Sequence, residues 1–440
     1  MRVLAVIVAL MVAGAGLWFV SATDFVDVPG LGRGAAAQVA KAPAPPPAQR
    51  VLARAAAGPL DIERVLARPA DYIQGPDYAP SLIVAQAKAK DHGGYRFDVA
   101  DPHYFLQLGG VQGPARGAQT VTYDRRTGER RSGQGSGVAF VTEAPRFDML
   151  MSSNGQNFTV YVTDLATGVR ARAAKDDFVP RSNALSYHVI DFGSRAARKI
   201  EVYPGTVAVL YGVDVPEPDT IRAADPAGEP RVAILWDSYG AGTVSDDGAL
   251  NNIKLGFPDY FLARLGIANG FNFSIGATGV VATDGGTKSN YQDRLSAGDL
   301  DRDRVGAFDL IYVPGSINDG NSSGGSIFNG TVRSAYRDFL EALHAKQPQA
   351  IIVGAGPEFT VLARPTQSRF DAYAAGFADT AGSNPQFLYL DNSPKAENWM
   401  ADQSIVGPDK IHPRRAGARY LGTRAAESLL AAMKARYGSR

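Results

Sequence analysis

Cysteine is absent from all 440 residues. That removes disulfides, thiolate nucleophiles, Cys-ligated zinc and iron–sulfur clusters together, and with them any reading of redox compartment. An excess of one charge is absent too: 45 Lys and Arg against 44 Asp and Glu leave a net +1. No global field draws nucleic acid to such a chain, so no nucleic-acid partner is expected. Histidine is scarce, with only His92, His103, His188, His344 and His412. No second histidine lies near His412 and no cluster has ligand spacing, so neither metal nor cofactor is expected. Asp91, Asp98 and Asp101, beside His92 and His103, read as solvated loop residues. No repeat of fixed period occurs. What is present, 45% hydrophobic and 20% charged residues, suits a globular chain with a full core. A prior of roughly 150 residues per unit suggests two or three units.

The chain opens with Arg2 and an apolar run from Val3 to Val20, followed by the small residues Ser21 and Ala22. Residues 1–22 therefore read as an export signal or, the run being about long enough to span a bilayer, as a membrane anchor. Either puts the body outside the cytoplasm, periplasmic, secreted or tethered. Residues 23–90 read as a linker. Gly34 to Pro59 is rich in Ala and Pro and is expected to be an extended tether, with short helices around Ile62 to Leu66 and Leu82 to Ala87.

Residues 91–216 change character. Runs rich in β-branched and aromatic residues alternate with turn signals: Tyr104 to Leu108, Gln119 to Tyr123, Gly137 to Val141, Arg146 to Met151, Phe158 to Thr163, Tyr187 to Phe192, Lys199 to Tyr203 and Ala208 to Val213. Their spacing predicts an antiparallel β-sandwich. Tyr104, Phe105, Phe158 and Tyr187 suit sugar stacking, although at strand spacing core positions are the commoner outcome.

From residue 230 to 440 strands and helices alternate. Strands are expected at Val232 to Leu235, Phe308 to Val313, Ala350 to Val353 and Phe387 to Leu390. Helices are expected at Pro258 to Ile267, Thr331 to Ala345, Asp371 to Asp379 and Ala416 to Ala435. This predicts an α/β domain, a parallel sheet covered on both faces, with reactive groups at the carboxyl ends of its strands.

Three segments carry chemistry. After the first strand comes Trp236-Asp237-Ser238-Tyr239-Gly240-Ala241-Gly242, where glycines let the backbone turn into a helix and expose a serine hydroxyl; a plain Ser/Gly loop is the alternative. After the second comes Gly315-Ser316-Ile317-Asn318-Asp319, whose Asn amide suits a developing oxyanion, though Asn318-Asp319-Gly320 also makes an ordinary turn. Before the last helix stands Asp409-Lys410-Ile411-His412-Pro413. A carboxylate that holds one imidazole tautomer lets the other ring nitrogen take a proton from serine, while an exposed His near a helix start is the plainer outcome.

In this order, along one α/β domain, the three segments resemble the blocks of the SGNH hydrolases, the GDSL esterase and lipase family. The resemblance implies a flavodoxin-like three-layer domain with Ser238 as nucleophile, His412 as general base and Asp409 orienting it. Its oxyanion hole would be the N–H of Ser238, the Asn318 side chain and a backbone N–H from Gly276 or Ala277. Asp237, Gly242 and Gly315 match supporting positions. Where the family has Gly before Asp-Ser this chain has Trp236, so the pocket mouth or the packing behind the nucleophile must differ. A β-sandwich before such a domain is similar to bacterial two-domain carbohydrate esterases with a jelly-roll-like module. That implies O-deacetylation of a polysaccharide, with an acetylated glycan or small ester as substrate. The same triad serves acyltransferases and lipid esterases, and a glycan-binding protein with an inert domain is the reading from another class.

Overall fold

The computed structural model describes residues 46–78, 94–98, 106–108, 137–152, 157–175, 178–181, 184–204, 208–225, 228–245, 255–268, 270–283, 286, 289–321, 329–358 and 366–437. Residues from Pro45 onward form one compact unit. Residues 3–20, Asp91, His92, Asp101, His103, Tyr104, Phe105, the expected helix at Leu82 to Ala87 and the expected strand at Gln119 to Tyr123 lie outside the described residues. Among the described residues no helix is long and apolar enough to cross a membrane.

Among the described residues up to 223 there are eleven strands: β1 (Asp71–Tyr78), β2 (Gly94–Asp98), β3 (Leu106–Leu108), β4 (Gly137–Thr142), β5 (Arg146–Ser152), β6 (Thr159–Asp164), β7 (Arg170–Arg172), β8 (Leu185–Asp191), β9 (Arg198–Tyr203), β10 (Val209–Pro216) and β11 (Ile221–Ala223). They pair antiparallel in two sheets. One has the order β1-β8-β5-β10-β2, the other β11-β4-β9-β6-β7 with β3 beside β4. Alternation along the strands sends Phe147, Met149 and Met151 of the first sheet and Val138, Phe140, Ile200 and Val202 of the second into one buried cluster. Phe158 and Tyr187 are buried as well, which suits packing rather than an exposed stacking platform.

Among the described residues that follow there are five parallel strands: β12 (Val232–Ile234), β13 (Gly270–Asn272), β14 (Leu310–Pro314), β15 (Ile351–Ala355) and β16 (Phe387–Leu390), in the order β13-β12-β14-β15-β16. Apart from Asn272 at the end of β13 the strands are apolar, as suits a sheet covered by helices. Helices Phe257–Arg264, Asn329–Lys346, Gln367–Ala381 and Arg415–Tyr437 carry Phe261, Tyr336, Phe339, Tyr373, Phe377, Leu421, Leu429 and Met433 into the same cluster as the strand residues. The order changes direction at β12, with β13 on one side and β14 on the other, so the carboxyl ends of these three strands form the topological switch point of the sheet.

Three expectations for residues 34–90 need correction. Within the expected tether, Pro47–Ala56 is a helix with Pro47 at its first position; it buries Ala48 and Val51 in the α/β core, and Arg50 donates to the buried Asp309 carboxylate. Ala-rich composition hid an amphipathic face. At Ile62 to Leu66 there is no helix: Asp61 accepts the N–H groups of Glu63 and Arg64 in a turn, and Val65 bridges Arg172. Strand β1 lies ahead of residue 91, completing the edge beside β8.

Candidate active site

Strand β12 ends at Ile234, and the chain then turns tightly over residues 237–242. Ala241 N–H donates to the Asp237 carbonyl at 2.9 Å and Thr243 N–H to that of Ser238 at 3.0 Å. Gly242, with φ of +80°, ends the turn. The expected run into a helix behind Ser238 is therefore a single turn among the described residues. Gly240 is needed for a close approach, since a Cβ there would stand 2.3 Å from Ser274 Oγ and 2.5 Å from Trp236 Cβ. Ser238 is thereby left half-buried at the end of the turn.

His412 reaches this serine from the loop before the last helix. Its Nε2 lies 2.9 Å from Ser238 Oγ and its Nδ1 2.7 Å from Asp409 Oδ2. Asp409 Oδ1 accepts the N–H groups of Ile411 and His412, each at 2.9 Å. Burial pushes the Asp409 carboxyl up, but these two N–H groups and the imidazole outweigh it and hold the group below the usual carboxylate range. Lys410 takes a φ of +60°, which lets the loop curl so that both backbone donors face one oxygen. Tyr239 braces the same loop by donating from its hydroxyl to the Ile411 carbonyl at 2.6 Å. The histidine side chain is 21% exposed and the aspartate 38%, so one rim of the relay faces solvent.

The other predicted residues lie on the loops that follow β12, β13 and β14. Gly276, after β13, is so near that a Cβ there would lie 3.5 Å from Ser238 Cβ, and Ala277 beside it has a left-handed φ of +63°. Asn318 opens the short helix Asn318–Asn321, and its Nδ2 lies 3.1 Å from both the Thr278 carbonyl and Ser316 Oγ. Gly315 leaves room for the Tyr373 ring, which a Cβ would meet at 2.8 Å. Asp237 is fully buried; its Oδ1 accepts Tyr239 N–H at 2.9 Å and its Oδ2 the Ser316 hydroxyl at 2.7 Å. Burial lifts its carboxyl to about 7 against those bonds. Trp236 settles how this chain departs from Gly before Asp-Ser. Its ring is wholly buried against Tyr239, Phe257 and Tyr312, and its Nε1 donates to the Gly315 carbonyl at 2.7 Å, so the change lies in the packing behind the serine rather than at the mouth.

Sequence reasoning named Ser316 and Asp319 only as members of the 315–319 segment, without a role, and missed Tyr373 and Arg294. Buried Arg294 donates to the carbonyls of Phe273 and Trp236, tying the ends of β13 and β12 together. These links join residues tens of positions apart, and no local spacing announces them.

No family model and no curated protein sequence matches the chain. Solved structures do resemble it. A family two carbohydrate esterase from Cellvibrio japonicus is 15% identical with a TM-score of 0.55, the likeness covering 77% of this chain and 98% of that one. A salicylyl-acyltransferase from a tetracycline biosynthetic pathway gives the same identity, TM-score and coverage. An acetyl xylan esterase from the rumen bacterium Butyrivibrio proteoclasticus is 11% identical with a TM-score of 0.51, covering 78% of this chain and 99% of that one. The likeness takes in more than the parallel sheet and its helices, and the chain has the SGNH/GDSL hydrolase fold.

Proposed function

We propose that the protein is an extracytoplasmic serine esterase that hydrolyses carboxylic esters and removes O-acetyl groups from a polysaccharide. One observation carries the reading: Ser238 Oγ, His412 and Asp409 stand in hydrogen-bonding order, at 2.9 and 2.7 Å, on a half-buried rim of the parallel sheet. His412 Nε2 takes the proton of Ser238 as the hydroxyl attacks the ester carbonyl, and Asp409 holds the proton on Nδ1 and stabilises the imidazolium. The tetrahedral oxyanion meets the N–H of Ser238, the N–H of Gly276 or Ala277, and Asn318 Nδ2. In the resting structure that amide nitrogen lies 3.1 Å from both the Thr278 carbonyl and Ser316 Oγ, so the Asn318 side chain rotates as a unit to present one N–H to the oxyanion. Collapse expels the alcohol with the proton from His412, and water then repeats the sequence on the acyl-enzyme.

The polysaccharide assignment draws on the similarly folded carbohydrate esterases and acetyl xylan esterase. The two antiparallel sheets are read as a jelly-roll-like module whose role is to engage the glycan. Export rests on the apolar run of residues 3–20, as signal or anchor. A panel of acetylated polysaccharides assayed for acetate release, with wild type and Ser238→Ala side by side, tests the proposal. Release by wild type alone supports it, and equal release by the variant removes Ser238 from the chemistry. The similarly folded acyltransferase favours a second reading in which an acceptor alcohol, not water, attacks the acyl-enzyme. Product analysis with a glycan acceptor present separates the two.

A further inference from the structure

Asp319 is wholly buried at the start of the short helix Asn318–Asn321, and the reaction described above gives it no part. Its carboxylate gathers three successive backbone donors: Val281 and Ala282 N–H reach Oδ1 at 2.9 and 2.8 Å, and Val280 N–H reaches Oδ2 at 2.9 Å. The Tyr373 hydroxyl also donates to Oδ2, while its oxygen accepts Ser316 N–H at 3.1 Å. Those amides belong to the segment that follows Gly276 and Ala277 directly. At its head the Thr278 carbonyl accepts from Asn318 Nδ2 at 3.1 Å and stands 2.8 Å from Ser316 Oγ, as an alternative acceptor to Asp237 for that hydroxyl's one proton. Gly279 lies so tightly on the carboxylate that a Cβ would stand 2.4 Å from Oδ1. Burial raises the Asp319 carboxyl against all these donors, so its desolvation is a standing cost. Apolar packing alone would cover the segment without that cost, but it would not fix three amides in register on one point. The bonds of Asp319, Asn318 and Ser316 to residues 278–282 run between the loop after β13 and the loop after β14, the two loops that flank Ser238, and Tyr373 braces them from the helix Gln367–Ala381.

We propose that Asp319, with Tyr373, is a positioning pair that locks residues 276–282 onto residues 315–319 and so sets the Gly276 or Ala277 N–H at the oxyanion. The inference rests on the reading of Ser238, His412 and Asp409 as the reacting relay. In Asp319→Asn the amide keeps one acceptor for Val281 and Ala282 but turns a donor toward Val280 N–H. Tyr373→Phe preserves the ring and removes only the hydroxyl.

The test measures kcat and KM for 4-nitrophenyl acetate, the affinity of a short alkylboronic acid whose serine adduct carries an oxyanion-like oxygen, and thermal melting. Asp319→Asn lowers kcat about 100-fold and Tyr373→Phe about 10-fold, KM stays within about 2-fold, and boronate affinity falls in step with kcat. Ile190→Val, in the antiparallel core cluster that includes none of these loop residues, lowers the melting temperature without changing kcat, so stability loss alone does not imitate the result. If Asp319→Asn fails to fold, Tyr373→Phe decides. Folded variants with wild-type kcat and boronate affinity overturn the proposal, and so does a rise confined to KM. If wild type is active and Ser238→Ala is not, that outcome removes the positioning role alone. A wild type that neither cleaves the ester nor binds the boronate refutes the esterase reading and this inference with it.

Discussion

Replacing Asp409 by Asn is the most informative perturbation of the relay. In the native site Oδ1 holds the N–H groups of Ile411 and His412, and Oδ2 holds Nδ1 at 2.7 Å. Asn keeps an oxygen for the two backbone donors, so its NH2 takes the place of Oδ2 and faces Nδ1. Two donors cannot face each other there, so the imidazole moves its proton to Nε2. That nitrogen then points N–H at Ser238 Oγ and accepts nothing. Such a tautomer reversal costs about 10⁴ in kcat where the aspartate is buried. Asp409 is 38% exposed and water relieves part of the conflict. The expected loss is therefore about 10³ in kcat, or about 4 kcal/mol of barrier, with KM nearly unchanged. Asp409→Ala removes the opposing donor and lets water sit at Nδ1, so it is the faster of the two variants. Nitrophenolate release from 4-nitrophenyl acetate near neutral pH measures both. An Asp409→Asn enzyme within about 5-fold of wild type, a change below the smallest usual general-base contribution, or one faster than Asp409→Ala, refutes the tautomer argument.

Further outcomes follow from the same geometry. Asn318→Ala lowers kcat about 100-fold with little change in KM, as loss of one oxyanion donor does, and steady-state kinetics show the split. Gly276→Ala retains activity because its Cβ meets Ser238 only at an ordinary 3.5 Å, whereas Gly276→Val crowds the serine and lowers kcat/KM. Trp236→Ala costs about 3–5 kcal/mol of stability in urea unfolding, since the whole indole and its bond to Gly315 are lost. Burial lifts Asp237 to about 7 and Glu358 to about 8, Glu358 being raised further by the Asp237 carboxyl. Folded values above the unfolded ones give stability that is full at acid pH and lost as pH rises through about 7 to 8. Glu358→Gln therefore flattens the fall in melting temperature between weakly acid and weakly alkaline pH, and parallel curves contradict the assignment.

Four of the five described parallel strands and the long helices were legible because their periods are sharp, whereas β13, the three residues Gly270–Asn272, was too short and too mixed to expect. Phe387–Leu390 appears at its expected bounds, and Arg415–Tyr437 differs from expectation only by frayed ends. The segments bearing Ser238, Asn318 and His412 were legible as motifs because each sits where a strand ends or a helix starts. Residues 47–56 were not, since an Ala-rich helix beside prolines looks like a tether until a partner surface buries Val51. The Asp61 turn was lost to an apolar run of helical spacing at Ile62 and Leu66. Asp319, Ser316 and Tyr373 were illegible as a set because their meaning lies in hydrogen bonds across loops, as between positions 319 and 280.

Covalent labelling tests the central claim most directly: a fluorophosphonate probe, followed by peptide mass spectrometry, reports which hydroxyl His412 activates. A single adduct on Ser238, formed about 10³ times more slowly in His412→Ala and absent in Ser238→Ala, is the predicted result. An adduct on another residue, or one on Ser238 that forms as fast without His412, contradicts it.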